Sequence, residues 1–111
     1  MEHDIILVGT SGLGSGSQEL GGLILANFLR ILGERGDLPN YIVLWNDGVK
    51  IALEGAPWLP HLKKLEERGV KIISCRTCVE YFGLEGKTAV GEIWPMQRIQ
   101  EILLSSRVLT V

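Results

Sequence analysis

The sequence predicts an α/β fold in which helices cover both faces of a parallel, five-stranded sheet. Short apolar runs alternate with longer segments whose apolar residues recur at helical spacing, which is typical of parallel strands joined by right-handed crossovers. The first run, residues 4–9, is continuously apolar from Ile5 to Val8, as expected of a strand covered on both faces. The 111 residues are enough for one hydrophobic core, and we expect residues 1–111 to form a single domain.

A glycine- and serine-rich loop, residues 9–17, separates the first strand from a helix predicted over residues 18–32. Ser15 or Ser17 can cap this helix, because a serine hydroxyl accepts a hydrogen bond from a free N–H group of the first turn. The helix carries most of its large apolar residues on one side: Leu20, Leu23, Ile24, Phe28, Ile31 and Leu32.

The middle of the chain predicts a second strand, a turn and a second helix. The strand covers residues 41–45, the turn signal Asn-Asp-Gly follows at 46–48, and a short helical turn is expected over 49–53. The second helix is predicted from Pro57 to Arg68, because proline suits a first helical position and Gly69 suits a left-handed terminator. We expect three of its residues to face inward: Trp58, Leu62 and Leu65.

The predicted third strand is followed directly by a Cys-x-x-Cys motif, which contains both cysteines of the protein. If a helix begins at Arg76, Cys75 lies where the strand meets the helix N-terminus, and the N–H groups there favour a thiolate. Arg76 adds positive charge. The remaining elements are a strand over residues 87–91, a helix over 95–104 and a last strand over 107–111.

Composition excludes several classes of function. Eleven basic and thirteen acidic residues give a net charge of -2, without the basic clusters of a nucleic-acid-binding protein. No apolar run approaches the roughly 18 residues of a membrane span, and the acidic start of the chain does not resemble a secretory signal. Two cysteines three positions apart close too small a loop to stabilise a fold, so we expect a cytoplasmic protein.

The glycine-rich loop does not match a nucleotide-binding motif. Gly9 and Gly14 have Walker A spacing, but Ser15 and Gly16 stand where Lys and Ser or Thr are required, and Ser17 replaces the third glycine of a dinucleotide motif. Four metal ligands are also lacking, since His3 and His61 lie far from the cysteines in sequence. We therefore expect neither a metal nor another cofactor.

Ligands of parallel α/β sheets bind beyond the carboxyl ends of the strands. The loops at this edge supply the candidate binding residues around the catalytic candidates Cys75 and Cys78. They are Gly9, Thr10 and Ser11 after the first strand, Asn46 and Gly48 after the second, and Arg76 and Thr77 after the third.

Two segments resemble the DsrE/DsrF-like family: Asn46-x-Gly48-Val49 and Cys75-x-Thr77-Cys78-x-x-Tyr81-x-Gly83-Leu84. The similarity extends from the first strand to the last, and within the family it is closest to the carboxyl-terminal domain of YedF-type selenium-metabolism proteins. The resemblance implies a flavodoxin-like sheet, a homo-oligomer and a sulfurtransferase-like partner protein that donates or accepts sulfur. It also implies that Cys75 holds the place of the family's persulfide-carrying cysteine, whereas Cys78 recurs only in the YedF-like version.

These observations lead to the hypothesis of a sulfur or selenium carrier. Cys75 accepts a sulfane atom, Arg76 adds charge beside the bound persulfide, and Cys78 displaces the cargo by forming a disulfide with Cys75. Two alternatives remain open at this stage. The chain is a non-catalytic partner- or ligand-binding module with structural cysteines, or it is a thiol-disulfide redox protein.

Overall fold

The computed structural model describes all residues from Met1 to Val111. Its five strands form one parallel sheet in the order β4-β3-β2-β1-β5, which agrees with the predicted fold class. The strands are β1 (Ile5–Val8), β2 (Tyr41–Leu44), β3 (Lys71–Cys75), β4 (Glu92–Trp94) and β5 (Val108–Thr110). The helices are α1 (Gln18–Leu32), α2 (Leu59–Glu67), α3 (Arg76–Tyr81) and α4 (Met96–Leu104), with a 3₁₀ helix over Asn46–Ala52.

The order of the strands explains why the two faces of the sheet are covered unequally. The chain steps in one direction from β1 to β4, so right-handed crossovers put α1, α2 and α3 on one face. It then returns across the sheet to β5, and α4 lies on the other face. Successive side chains of β1 follow this division, because Ile6 and Val8 pack with the first three helices while Ile5 and Leu7 pack with Ile99 of α4.

Helix α1 does not bury the side on which most of its large apolar residues lie. Its buried residues are Gly21, Leu25, Leu29 and Leu32, while Leu20, Leu23, Ile24 and Ile31 are exposed. Gly21 explains the difference: the N–H of Leu13 donates to the Gly21 carbonyl at 2.9 Å. A Cβ at Gly21 would lie only 3.0 Å from the Leu13 carbonyl oxygen. The glycine-rich loop thus packs directly on the helix backbone and sets its rotation.

The ends of α1 and α2 agree with the predicted capping in most respects. Ser17 is the N-cap of α1 and accepts a hydrogen bond from the N–H of Leu20 at 3.1 Å. Gly69 follows α2 with a φ of +98°, the left-handed conformation predicted for it. The helix begins two residues later than predicted, at Leu59. Trp58 is half-buried, and its indole N–H donates to the carbonyl of Gly22 on α1 at 3.0 Å.

The fourth strand was predicted at the wrong residues. Residues 87–91 lie in a turn and a loop, where Thr88 makes a single antiparallel bridge with Leu53. Gly91 has a φ of +77°, which breaks the extended conformation. The strand begins at Glu92, after this glycine, and its pairing places Trp94 beside Cys75. No helix is both long and apolar enough to cross a membrane.

Candidate functional site

The first cysteine of the Cys-x-x-Cys is buried. Cys75 is the last residue of β3 and the N-cap of α3, as predicted, but its side chain has no exposed surface. It belongs to the apolar cluster on the α4 side of the sheet, together with Ile73, Trp94 and Ile99. The sulfur of Cys75 therefore lies beneath the carboxyl edge of the sheet and not on its surface.

The second cysteine lies closer to solvent. Cys78 is in the first full turn of α3, is half-buried, and contacts the apolar clusters on both faces of the sheet. Its Sγ accepts a hydrogen bond from the backbone N–H of Asn46 at 3.0 Å. A donor at this position stabilises negative charge on the sulfur.

The backbone conformation of residues 46–48 places this N–H group. Asn46 has a φ of +53°, a left-handed conformation that asparagine tolerates better than most residues. Two residues later, Gly48 packs so closely on the carbonyl group of Val8 that a Cβ would overlap with the oxygen. The N–H of Gly48 also donates to the carbonyl of Trp45 at 3.0 Å. The turn is thus held between β1 and β2, and it directs the N–H of Asn46 towards α3.

A surface cavity of about 470 Å³ lies between this turn and α3. Its lining residues are Asn46, Asp47, Thr77, Cys78, Tyr81 and Phe82. Tyr81 is 83% exposed at the rim and meets the Phe82 ring edge-on. The Nζ of Lys50 lies 4.3 Å from the centroid of the Phe82 ring and 2.7 Å from Oδ1 of Asp47, so a cation lies beside the cavity.

The surroundings of Cys78 disfavour its thiolate form. Burial raises the pKa of its thiol above the ordinary value, and the N–H of Asn46 opposes this effect only in part. The neighbouring Cys75 raises the pKa of Cys78 further, through a hydrogen bond between the two side chains and through the repulsion of negative charge. The Cys78 side chain also packs against the apolar cluster that contains Cys75.

The structure brings some of the predicted site residues together and separates others. Asn46, Thr77 and Cys78 line one cavity, while Cys75 lies buried behind Cys78. Gly48 packs against β1, and Arg76 is exposed without lining the cavity.

The residues predicted after β1 lie outside this cavity. The Thr10 hydroxyl donates to the carbonyl of Gly12 in its own loop. Ser11 lines a second cavity, which it shares with Trp58 and residues of α1. Gly9 lies against the indole ring of Trp45. The loop is therefore packed as a structural element between β1 and α1.

Three residues of the cavity were missing from the sequence-based candidates: Asp47, Tyr81 and Phe82. A signal for the two aromatic residues was present, because positions three and four residues after Cys78 share its face of a helix. Asp47 also carried a signal, because it lies between the candidates Asn46 and Gly48 in the predicted turn at the carboxyl edge.

The fold and site together define a small parallel α/β protein that places two free thiols at the carboxyl edge of its sheet, beside a surface cavity. Residues 4–110 match the model of the DsrE/DsrF-like family, so the chain belongs to that family. This confirms the family named from the sequence.

Solved structures of similar fold include the following three, each from a different organism. The ychN protein from E. coli is 23% identical, with a TM-score of 0.70 and coverage of 98% of this chain and 99% of that one. MTH1491 from Methanobacterium thermoautotrophicum, a protein of unknown function, is 12% identical, with a TM-score of 0.69 and 96% coverage of both chains. BT1422 from Bacteroides thetaiotaomicron, also of unknown function, is 18% identical, with a TM-score of 0.60 and coverage of 97% and 95%. No curated protein matches the chain.

Proposed function

We propose that this protein is a sulfur carrier, which receives a sulfane atom from a sulfurtransferase-like donor protein, holds it on Cys75 and passes it to an acceptor. The observation that supports the proposal most directly is a pair of free thiols, of which Cys78 lines an accessible cavity with a backbone N–H bonded to its sulfur and Cys75 is buried in the cluster that Cys78 packs against. Sulfur relay is associated with the DsrE/DsrF-like family, which is consistent with this chemistry.

Each part of the site has a role in this proposal. A thiolate attacks the outer sulfur of a donor persulfide, forms a new S–S bond and releases the donor thiolate. Burial then shields the persulfide on Cys75 from water and from free thiols. Such chemistry needs reduced cysteines, and the proposal therefore places the protein in the cytoplasm. The resemblance to YedF-type proteins extends the proposal to selenium, because a thiolate can take the outer, zero-valent selenium atom of a donor R–S–SeH and release R–S⁻, as it does with sulfur.

We expect the reduced protein to gain one sulfur atom when it is treated with glutathione persulfide, desalted and analysed by intact-mass spectrometry. After a chase with a small thiol, the wild type should keep this atom and Cys75→Ser should lose it, because only Cys75 is fully covered. The Cys75→Ser/Cys78→Ser double variant, folded as judged by circular dichroism, is the control for non-specific sulfur. No sulfur gain by the wild type would reject the carrier proposal.

A thiol-disulfide redox function is the second candidate, and the observation that favours it is that Cys78 packs against the cluster that contains Cys75, with both thiols free. In this case the same experiment should yield a Cys75–Cys78 disulfide, recognised by the loss of two hydrogen atoms, and no bound sulfur. Equilibration with glutathione buffers should then give a defined reduction potential.

We also propose that the protein is a homo-oligomer and that the exposed apolar face of α1, formed by Leu20, Leu23, Ile24 and Ile31, is the contact surface. Each of these side chains is more than 40% exposed, and large apolar patches are unusual on a monomer. Light scattering after gel filtration should show an oligomer for the wild type and a smaller species for Leu23→Glu. Gln100→Glu adds the same charge at an exposed position of α4 and should leave the mass of the oligomer unchanged. Equal masses for all three proteins would reject this interface.

A further inference from the structure

Cys75 has no solvent-exposed surface, so a sulfur atom can reach it only through neighbouring groups. Cys75 packs among Ile73, Trp94 and Ile99, and its strand pairs with β4 at Trp94. Cys78 lines the cavity, whereas Cys75 does not, and the Cys78 side chain also packs against the apolar cluster that contains Cys75. A donor sulfur that enters the cavity therefore meets Cys78 first.

We propose that Cys78 is the entry point for the sulfur atom and that Cys75 is the internal site to which the atom is then passed. This inference rests on the proposed carrier function and assigns an order to its two cysteines. It differs from the role that the sequence suggested for Cys78, which was to displace cargo from Cys75.

The first step occurs at the cavity. The Cys78 thiolate attacks the outer sulfur of a donor persulfide, R–S–SH, so that Cys78 becomes a persulfide and the donor leaves as R–S⁻. The N–H of Asn46, 3.0 Å from Sγ, stabilises the negative charge that this sulfur carries before the attack. Formation of this thiolate needs loss of the thiol proton to solvent or to a base that the donor supplies, since burial raises the pKa of Cys78.

The second step moves the atom inward without any external reactant. The sulfur of Cys75 attacks the outer sulfur of the Cys78 persulfide, which forms a new S–S bond on Cys75 and breaks the S–S bond on Cys78. The proton of the Cys75 thiol passes to the leaving Cys78 sulfur, whose side chain packs against the apolar cluster that contains Cys75. The products are a Cys75 persulfide and a Cys78 thiol, so atoms, protons and electrons balance.

The sequence between the cysteines allows the two sites to be followed separately. Trypsin cleaves after Lys71, Arg76 and Lys87, which places Cys75 in the peptide 72–76 and Cys78 in the peptide 77–87. We would mix the reduced wild type with glutathione persulfide, trap it with iodoacetamide at successive times, digest it and measure the extra sulfur on each peptide. We expect sulfur first on peptide 77–87 and later on peptide 72–76.

Two variants provide an independent measurement. Cys78→Ser should take up sulfur at least tenfold more slowly than the wild type, although its Cys75 is intact. The sulfur on Cys75→Ser should be removed by cyanide, as thiocyanate, at least tenfold faster than the sulfur on the loaded wild type. Circular dichroism and thermal unfolding establish that both variants are folded, and the peptide time course in the wild type does not depend on either.

The outcomes separate this inference from the carrier proposal. Sulfur that appears first on peptide 72–76, or loading of Cys78→Ser at the wild-type rate, would overturn the order while leaving the carrier intact. Formation of a Cys75–Cys78 disulfide with release of sulfide would also overturn it, since Cys75 would then attack the inner sulfur. Sulfur that stays on peptide 77–87 would overturn both the inward transfer and storage on Cys75, and the carrier proposal fails altogether if neither peptide gains sulfur.

Discussion

Gly48→Ala is expected to destabilise the protein by about 3 kcal/mol or more. A Cβ at this position would overlap with the carbonyl oxygen of Val8 and lie 2.9 Å from its carbonyl carbon. These are backbone atoms of β1, which pairs with strands on both sides and cannot move aside without disturbing the sheet. Overpacking in a core typically costs about 1–3 kcal/mol, and a clash with a paired backbone lies at the upper end or beyond.

The measurement is urea unfolding of the wild type and two alanine variants. Gly36→Ala is the matched control, because nothing lies within 4 Å of its Cβ position and its φ is not positive. We expect its free energy of unfolding to stay within about 1 kcal/mol of the wild type. A lower free energy of unfolding in Gly48→Ala than in Gly36→Ala would establish that Gly48 has a packing role. Equal free energies of unfolding in the two variants would contradict the observed contact with Val8.

Gly48→Ala should also change the cavity in any fraction that remains folded. The turn that contains Gly48 directs the N–H of Asn46 to the Sγ of Cys78. If the turn moves away from β1, this hydrogen bond is lost and the pKa of Cys78 should rise further, because the bond lowers it. The rate of Cys78 alkylation at pH 8 should then fall relative to the wild type.

Leu25→Ala and Leu23→Ala should differ strongly in stability, although both remove the same atoms from the same helix. Leu25 is fully buried, whereas Leu23 is 59% exposed. Removal of a buried leucine side chain typically costs about 2–5 kcal/mol, since burial is lost and a cavity remains. An exposed substitution usually changes the free energy of unfolding by about 0.5 kcal/mol or less.

This comparison tests the rotation of α1 on the sheet directly. Urea unfolding should be measured at low protein concentration, so that association through the exposed face does not contribute to the stability of either variant. If Leu23→Ala were as destabilising as Leu25→Ala under these conditions, the side of α1 that carries Leu23 would be buried within the monomer. The observed packing of Gly21 on the glycine-rich loop would then be wrong.

Local sequence information was sufficient to locate some of the strands and helices but not others. The strand at Ile5–Val8 and the helix at Gln18–Leu32 were predicted correctly because each has a strong local pattern and a clear boundary. The fourth strand was misplaced because its three residues, Glu92–Trp94, have no pattern of their own. They extend because β3 offers an unpaired edge beside them, and this is a tertiary interaction.

The sequence by itself determined the parallel α/β fold, the family, and the position of the Cys-x-x-Cys at the junction of β3 and α3. All three follow from patterns within short segments. These are the alternation of apolar runs with helical spacing, the two segments that resemble the family, and a Cys-x-x-Cys that directly follows an apolar run. The tertiary structure alone decided which sulfur faces solvent. Cys75 is covered because β4 and α4 pack over it, and Cys78 lies at the cavity because a turn from β2 comes within 3.0 Å of its sulfur. Residues that are distant in sequence create this difference, so no local pattern could reveal it.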